Sequence, residues 1–119
     1  MIKFQGKVTS IGPLVQEFIQ AGILVLFGAG APEELVEFSI IHDAKELTAP
    51  LEPGDKVFIN NEVYKILAVG DVANTNLANL GHLILKFNGE EKARLPGDVN
   101  VELKPVPDIM IGTIFKIEN

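Results

Sequence analysis

Cysteine is absent from this chain, and Arg94 is its only arginine. The lack of cysteine excludes disulfides, thiolate metal sites and a cysteine nucleophile. The ten basic residues are outnumbered by sixteen acidic ones, which gives a formal net charge of −6. Because nucleic-acid binding normally needs a face of clustered Lys and Arg, and the lysines here are scattered singly, we expect no nucleic-acid partner.

Long hydrophobic runs are also absent. The most apolar stretch, "AGILVLFGAGA", covers residues 21 to 31, and glycines interrupt it. A membrane span needs about 20 apolar residues, so this stretch is expected to be a buried strand with a loop. The first residues, "MIKFQGKVTSIGP", lack the apolar region and the small-residue cleavage site of a secretory signal. We therefore expect a cytoplasmic protein that is not membrane-embedded, with an acidic surface that suits partners carrying basic residues.

The length of the chain fits one domain. A domain near 119 residues buries roughly two-thirds of the surface that its unfolded chain exposes, so it folds without disulfides or metals. No internal repeat, linker or low-complexity tract divides the sequence. We expect residues 1–119 to form a single domain.

Short apolar and β-branched runs recur along the chain, separated by Gly, Pro, Asn and Asp. Roughly eight such strands at close spacing predict a mainly β protein, a small closed or partly open β-barrel with one or two short helices. Gly6 is a candidate bulge in the first strand. Residues 36 to 42 are expected to form another strand, and the pair Asn60 and Asn61 is expected to connect a hairpin, because asparagine tolerates the positive φ of such a turn.

Two segments have a helical period. In "GPLVQEFIQAG", Pro13 suits the first helical position, four apolar residues share one face, and Gly22 is a natural stop. In "DVANTNLANLGH", Leu77 and Leu80 are spaced i, i+3, and Gly81 can end one or two helical turns.

Known catalytic motifs are missing. Neither serine, Ser10 or Ser39, lies in the Gly-x-Ser-x-Gly pattern of serine hydrolases. The segment "GAGAPEEL" contains Gly-x-Gly, but Glu33 stands where the dinucleotide fingerprint requires its last glycine, and no Walker lysine follows. We expect a loop that leads into a turn capped by Glu33 and Glu34.

A metal site would require His42 and His82 to converge with a carboxylate such as Asp43, since two histidines and one acid suit zinc or iron. The histidines lie forty residues apart (82 − 42) and lack short ligand spacing. A metal centre is therefore disfavoured, and no cofactor is expected.

His42 is the best candidate nucleophile, because a neutral imidazole attacks phosphorus readily and leaves again. It ends the apolar run "FSII", where the barrel could fix the ring while one nitrogen reaches solvent. Asp43 is expected to point to the opposite face of the strand and so to be a poor partner for orienting His42. A structural histidine that closes a strand explains the same pattern, and the residues alone leave both interpretations open.

Four segments together carry a resemblance to a known family. They are "GAPEELVEFSIIHDAKEL", "AVGDVANTNLANLGHLILKFNG", "LPGDVNV" and "PVPDIMIGTIFKI". In order and spacing the chain resembles, over essentially its whole length, the glucitol/sorbitol-specific enzyme IIA component of the bacterial phosphoenolpyruvate-dependent sugar phosphotransferase system. The resemblance implies a cytoplasmic phosphocarrier that accepts a phosphoryl group from the carrier protein HPr and passes it to the IIB component of a glucitol (sorbitol) permease.

The resemblance also implies roles for the two histidines. The phosphorylated histidine of the family matches His42, and a supporting or a purely structural role is expected for His82. Asp43 and Lys45 are not carried over as functional residues. A phosphocarrier is expected to keep one imidazole nitrogen accessible. The alternative is a non-catalytic β-barrel that binds or regulates a partner, in which His42 would be buried and hydrogen-bonded through both nitrogens.

Overall fold

The computed structural model describes all 119 residues and contains eight strands that close into a barrel. In chain order the elements are β1 (Ile2–Ile11), α1 (Val15–Gln20), β2 (Ile23–Phe27), α2 (Glu33–Val36), β3 (Ile40–His42), β4 (Lys56–Ile59), β5 (Glu62–Val69), α3 (Ala73–Leu80), β6 (Leu83–Lys86), β7 (Asp98–Val101) and β8 (Ile114–Glu118). The predicted mainly β barrel of about eight strands is confirmed. The barrel is closed, and it carries three short helices.

The strands follow the order β1-β3-β2-β6-β7-β5-β4-β8 around the barrel. Six of the eight neighbouring pairs are antiparallel, whereas β2 with β3 and β6 with β7 are parallel. A parallel pair needs a long crossover connection rather than a tight turn. Between β2 and β3 this crossover contains α2, and it brings the start of the Gly28 loop and the end of β3 to the same end of the barrel.

The barrel interior is filled by a core of twenty buried hydrophobic residues. Alternate residues along each strand supply it, as the two-residue period of a strand requires. In β4, for example, Val57 and Ile59 are buried while Lys56 is exposed. The largest side chains that are completely buried include Leu24, Ile40, Ile66, Leu77, Leu83, Leu85 and Ile117.

Several local predictions are confirmed. Asn60 has a positive φ of 53°, and Ile59 pairs with Glu62 across the two-residue turn. Gly22 and Gly81 follow α1 and α3 with φ values of 79° and 64°, the left-handed conformation in which glycine commonly ends a helix. Pro13 lies in the turn before α1 rather than in its first position.

The predicted strand over residues 36 to 42 is wrong in its first half. α2 begins directly after Pro32 and ends at Val36, and β3 begins only at Ile40. The turn between them is closed by Ser39, whose hydroxyl donates to the carbonyl of Leu35 at 2.7 Å and whose N–H donates to the carbonyl of Val36 at 3.2 Å. These local hydrogen bonds compete with strand pairing, as serine commonly does.

None of the three helices has the length and apolar character needed to span a lipid bilayer.

Candidate functional site

His42 is the last residue of β3, and its side chain lies inside the barrel. It pairs with Val8 of β1, and its ring makes edge contacts with Phe4 and Phe115 at centroid distances of 5.6 and 5.2 Å. Only 1 % of the residue is exposed. The expectation that the ring reaches solvent is therefore wrong, because the strand ends with the ring turned towards the aromatic core.

Both ring nitrogens of His42 have hydrogen-bond partners, and these partners define the tautomer. The backbone N–H of Ala44 can only donate, so Nδ1 accepts its hydrogen bond at 3.1 Å. The carbonyl of Gly81 can only accept, so Nε2 carries the proton and donates it at 2.8 Å. His42 is thus a neutral imidazole with its proton on Nε2, held in a single orientation by two backbone groups.

Burial lowers the pKa of His42 from its ordinary value of 6.5, because the charged imidazolium loses hydration inside the barrel. The Gly81 carbonyl and the charge of Asp43 act in the opposite direction, but burial is the larger effect. Protonation of Nδ1 would also place its new N–H against the N–H of Ala44. The ring is therefore neutral at pH 7, the form that a nucleophile requires.

The Ala44 donor is positioned by a close approach between two backbones. A Cβ added to Gly6 in β1 would lie 2.8 Å from the Cβ of Ala44, so only glycine permits this contact. Asp43 secures the same segment, since its N–H donates to the carbonyl of Lys7 and its carboxylate accepts the Lys7 N–H at 2.8 Å. The absence of a side chain at Gly6 thus allows the segment after β3 to approach the His42 ring. This role differs from the bulge predicted for Gly6.

The Gly81 acceptor is positioned by the end of α3. The N–H of Gly81 donates to the carbonyl of Leu77, and the carbonyl of Leu80 accepts the N–H of Gly28. A Cβ at Gly81 would lie 3.0 Å from both the Gly28 nitrogen and the Cε1 atom of His42. The helix stop recognised in the sequence therefore also forms part of the histidine site.

His82 follows Gly81 in the chain but has a different environment. Its Nδ1 donates to the carbonyl of Leu26 at 3.3 Å, and its ring stacks on Phe27 at a centroid distance of 4.4 Å. The residue is half-buried, and Nε2 has no hydrogen-bond partner. His82 is therefore held by one hydrogen bond and one stacking contact, whereas His42 is held through both ring nitrogens.

Asp43 does not orient His42, because its carboxylate is bound to the backbone of Lys7. The structure brings together no group of three His, Asp or Glu side chains that could hold a metal ion. The residues of the metal hypothesis, His42, His82 and Asp43, therefore do not form a common site.

A small cavity of about 190 Å³ lies near His42, although His42 itself does not line it. Phe4, Ala44 and Gly81, which all contact the ring, form part of its wall, and Lys45 is the only charged residue that lines it. Sequence reasoning missed the Ala44 donor, the Gly81 acceptor and this cavity. The first two are backbone groups, for which the residue type gives no signal.

The fold and the site define a class of protein: a small closed β-barrel with one neutral, firmly oriented histidine beside a surface cavity. A family model described as "PTS system glucitol/sorbitol-specific IIA component" matches residues 3–116. The chain therefore belongs to the glucitol/sorbitol-specific IIA component family of the sugar phosphotransferase system.

Individual relatives agree with this assignment. The chain is 38 % identical over 117 residues to the glucitol/sorbitol-specific EIIA components of Shigella flexneri and Escherichia coli (strain K12), covering 98 % of this chain and 94 % of each relative. It is also similar to the crystal structure of a PTS system IIA component from Enterococcus faecalis V583. The TM-score is 0.83 at 27 % identity, covering 97 % of this chain and 99 % of that one.

Proposed function

We propose that this protein is a cytoplasmic phosphocarrier, in which His42 accepts a phosphoryl group from phosphorylated HPr and passes it to the IIB component of a glucitol/sorbitol permease. The observation that carries the proposal is the His42 ring, which is neutral and oriented by two backbone groups beside a cavity. Membership of the family supports it, and the resemblance implies that His42 corresponds to the phosphorylated histidine of that family.

The geometry favours Nε2 of His42 as the phosphorylated atom. A phosphoryl group on Nε2 leaves a lone pair on Nδ1, so the Ala44 N–H keeps its acceptor. A phosphoryl group on Nδ1 would collide with that N–H. In the resting tautomer Nε2 carries the ring proton and has no free lone pair, so this proton must leave to solvent before Nε2 can attack phosphorus. The phosphorus–nitrogen bond of the donor histidine then breaks as the bond from phosphorus to Nε2 forms, and the freed donor nitrogen takes up a proton from solvent.

Transfer to Nε2 also requires the resting structure to open, because His42 is only 1 % exposed. The Gly81 carbonyl, 2.8 Å from Nε2, would repel the phosphoryl oxygens and must turn away. Gly81 has a φ of 64°, and glycine has the largest range of allowed backbone conformations. Rotation of the peptide between Gly81 and His82 would remove the carbonyl without displacing β6.

The test uses phosphoenolpyruvate, enzyme I and HPr with the wild-type protein, His42→Gln and His82→Gln, followed by intact mass measurement. We expect the wild type and His82→Gln to gain one phosphoryl group and His42→Gln to gain none. The far-UV circular dichroism of each variant serves as a control for folding. Loss of the phosphoryl group in His82→Gln alone would move the acceptor to His82.

A second candidate function is a non-catalytic barrel that binds or regulates a partner. The engagement of both His42 nitrogens and its 1 % exposure favour it, because a structural histidine has these properties. It predicts that the wild-type protein gains no phosphoryl group in the same reaction while still binding HPr.

A further inference from the structure

The cavity beside His42 has the size and the charge of a pocket for a small anion. Its volume is about 190 Å³, several times the volume of roughly 30 Å³ that one water molecule occupies in the liquid. No acidic residue lines it, although the chain carries a net charge of −6. A second cavity also has a lysine, Lys104, as its single charged residue, but Lys104 is ion-paired with Glu102.

Lys45 is free to bind a ligand. It is exposed, and its ammonium group forms no ion pair and no hydrogen bond within the protein, in contrast to Lys3 and Lys86, which are paired with Asp55 and Asp98. It lies three residues after His42 in the segment that Gly6 and Asp43 hold against β1. The backbone position of Lys45 is therefore fixed, while its side chain remains free to rotate towards the cavity.

Two backbone N–H groups without hydrogen-bond partners belong to residues that line the same cavity. Gly28, Ala29 and Gly30 line the cavity, and the N–H groups of Ala29 and Gly30 have no hydrogen-bond partner in the protein. Successive free N–H groups in a glycine-rich loop form a common binding arrangement for phosphate oxygens. The end of α3 also lines the cavity, and its last carbonyls repel an anion. Phosphoryl oxygens would therefore be held from the side of the loop and Lys45.

We propose that this cavity is the phosphoryl pocket of the carrier, in which Lys45 and the N–H groups of Ala29 and Gly30 bind the oxygens of the group on Nε2 of His42. The inference rests on the proposed phosphocarrier function. It assigns to Lys45 the stabilisation of the charge that is shared by the phosphoryl oxygens during transfer, which an oriented cation provides in phosphoryl-transfer sites.

The test compares Lys45→Gln and Lys45→Arg with Lys92→Gln, which removes another exposed lysine from a segment that lines a separate cavity. We expect Lys45→Gln to slow phosphoryl uptake from phosphorylated HPr by about 10-fold to 100-fold, at or below the loss from removing one oxyanion donor. Lys45→Arg should keep most of the wild-type rate, because it keeps the positive charge. Lys92→Gln should have the same rate as the wild type.

A partner-free measurement separates binding of the phosphoryl group from docking of HPr. In the isolated phosphorylated protein, Lys45→Gln should shift the ³¹P resonance of the phosphohistidine and change its hydrolysis lifetime. The amide resonances of Ala29 and Gly30 should move on phosphorylation, whereas that of Gly54, which donates to Ile66, should not.

Two results would overturn the inference. One is an unchanged uptake rate in Lys45→Gln. The other is a slower rate without any change of the ³¹P resonance, which would mean that Lys45 acts on the docked donor. A wild-type protein that forms no phosphohistidine would instead overturn the proposed function, and this inference with it.

Discussion

At the scale of single residues, the environment of His42 separates it from the other histidine of the chain. His42 is surrounded by Phe4 and Phe115 and is bound through both nitrogens, whereas His82 is half-buried and bound through one. Aromatic burial keeps the His42 ring neutral, and the two backbone groups keep it in one tautomer. Because the ring is already held in one orientation, less conformational entropy is lost when the donor arrives.

The lowered pKa of His42 predicts how the free energy of unfolding depends on pH. Above the unfolded value of 6.5 the ring is neutral in both states, and the full stability is present. As the pH falls below 6.5, the unfolded chain binds a proton that the folded ring rejects, so the free energy of unfolding decreases until the folded pKa is passed. The slope from this one group is at most about 1.4 kcal/mol per pH unit.

Urea unfolding of the wild type, His42→Gln and His82→Gln between pH 5 and 8 measures this dependence, over roughly the range in which histidine titrates. We expect His42→Gln to lose part of the acid destabilisation and His82→Gln to retain it. An identical pH profile for the wild type and His42→Gln would contradict the burial argument.

At the scale of elements, the segment between β3 and β4 holds the site together. Residues 43 to 55 carry the Ala44 donor and Lys45, and they are attached to α3 by Asn74, which exchanges two hydrogen bonds with the backbone of Leu51. A buried ion pair attaches the segment to β1: Lys3 Nζ lies 2.7 Å from the Asp55 carboxylate and also donates to the Pro50 carbonyl.

We expect Lys3→Met to lower the free energy of unfolding by about 3 to 5 kcal/mol, because it leaves the buried Asp55 carboxylate without its cation. Arg94→Gln is the control, since the Arg94–Glu90 pair is exposed and such pairs contribute only about 0 to 1 kcal/mol. Urea titration measures both variants. Equal effects of the two substitutions would show that the buried pair does not anchor the segment.

Elements that depend on neighbouring residues in the chain were predicted from the sequence, whereas elements that depend on distant contacts were not. Apolar alternation and turn residues predicted the strands, the Asn60 hairpin and the helix stops at Gly22 and Gly81, because each depends on neighbours in the chain. The predicted strand over residues 36 to 42 failed in its first half, since Ser39 forms local hydrogen bonds that turn the chain. The parallel pairing of β2 with β3 depends on a crossover, which no local pattern reveals.

At the scale of the whole molecule, closure of the barrel assembles a site from distant segments. β1 supplies Phe4 and Gly6, β3 supplies His42, the end of α3 supplies Gly81, and β8 supplies Phe115. The sequence indicated His42 through its place at the end of an apolar run and through a whole-chain resemblance. It did not predict the burial of the ring, because that depends on aromatic residues more than thirty positions away in both directions.

The central claim, that Nε2 of His42 carries the phosphoryl group, is tested most directly by ¹H–¹⁵N NMR of the imidazole nitrogens before and after phosphorylation by HPr. We expect the unphosphorylated His42 to carry its proton on Nε2, phosphorylation to change the Nε2 resonance, and Nδ1 to remain the acceptor of the Ala44 N–H. Unchanged His42 nitrogens in a phosphorylated protein, with the phosphoryl group on His82, would contradict it.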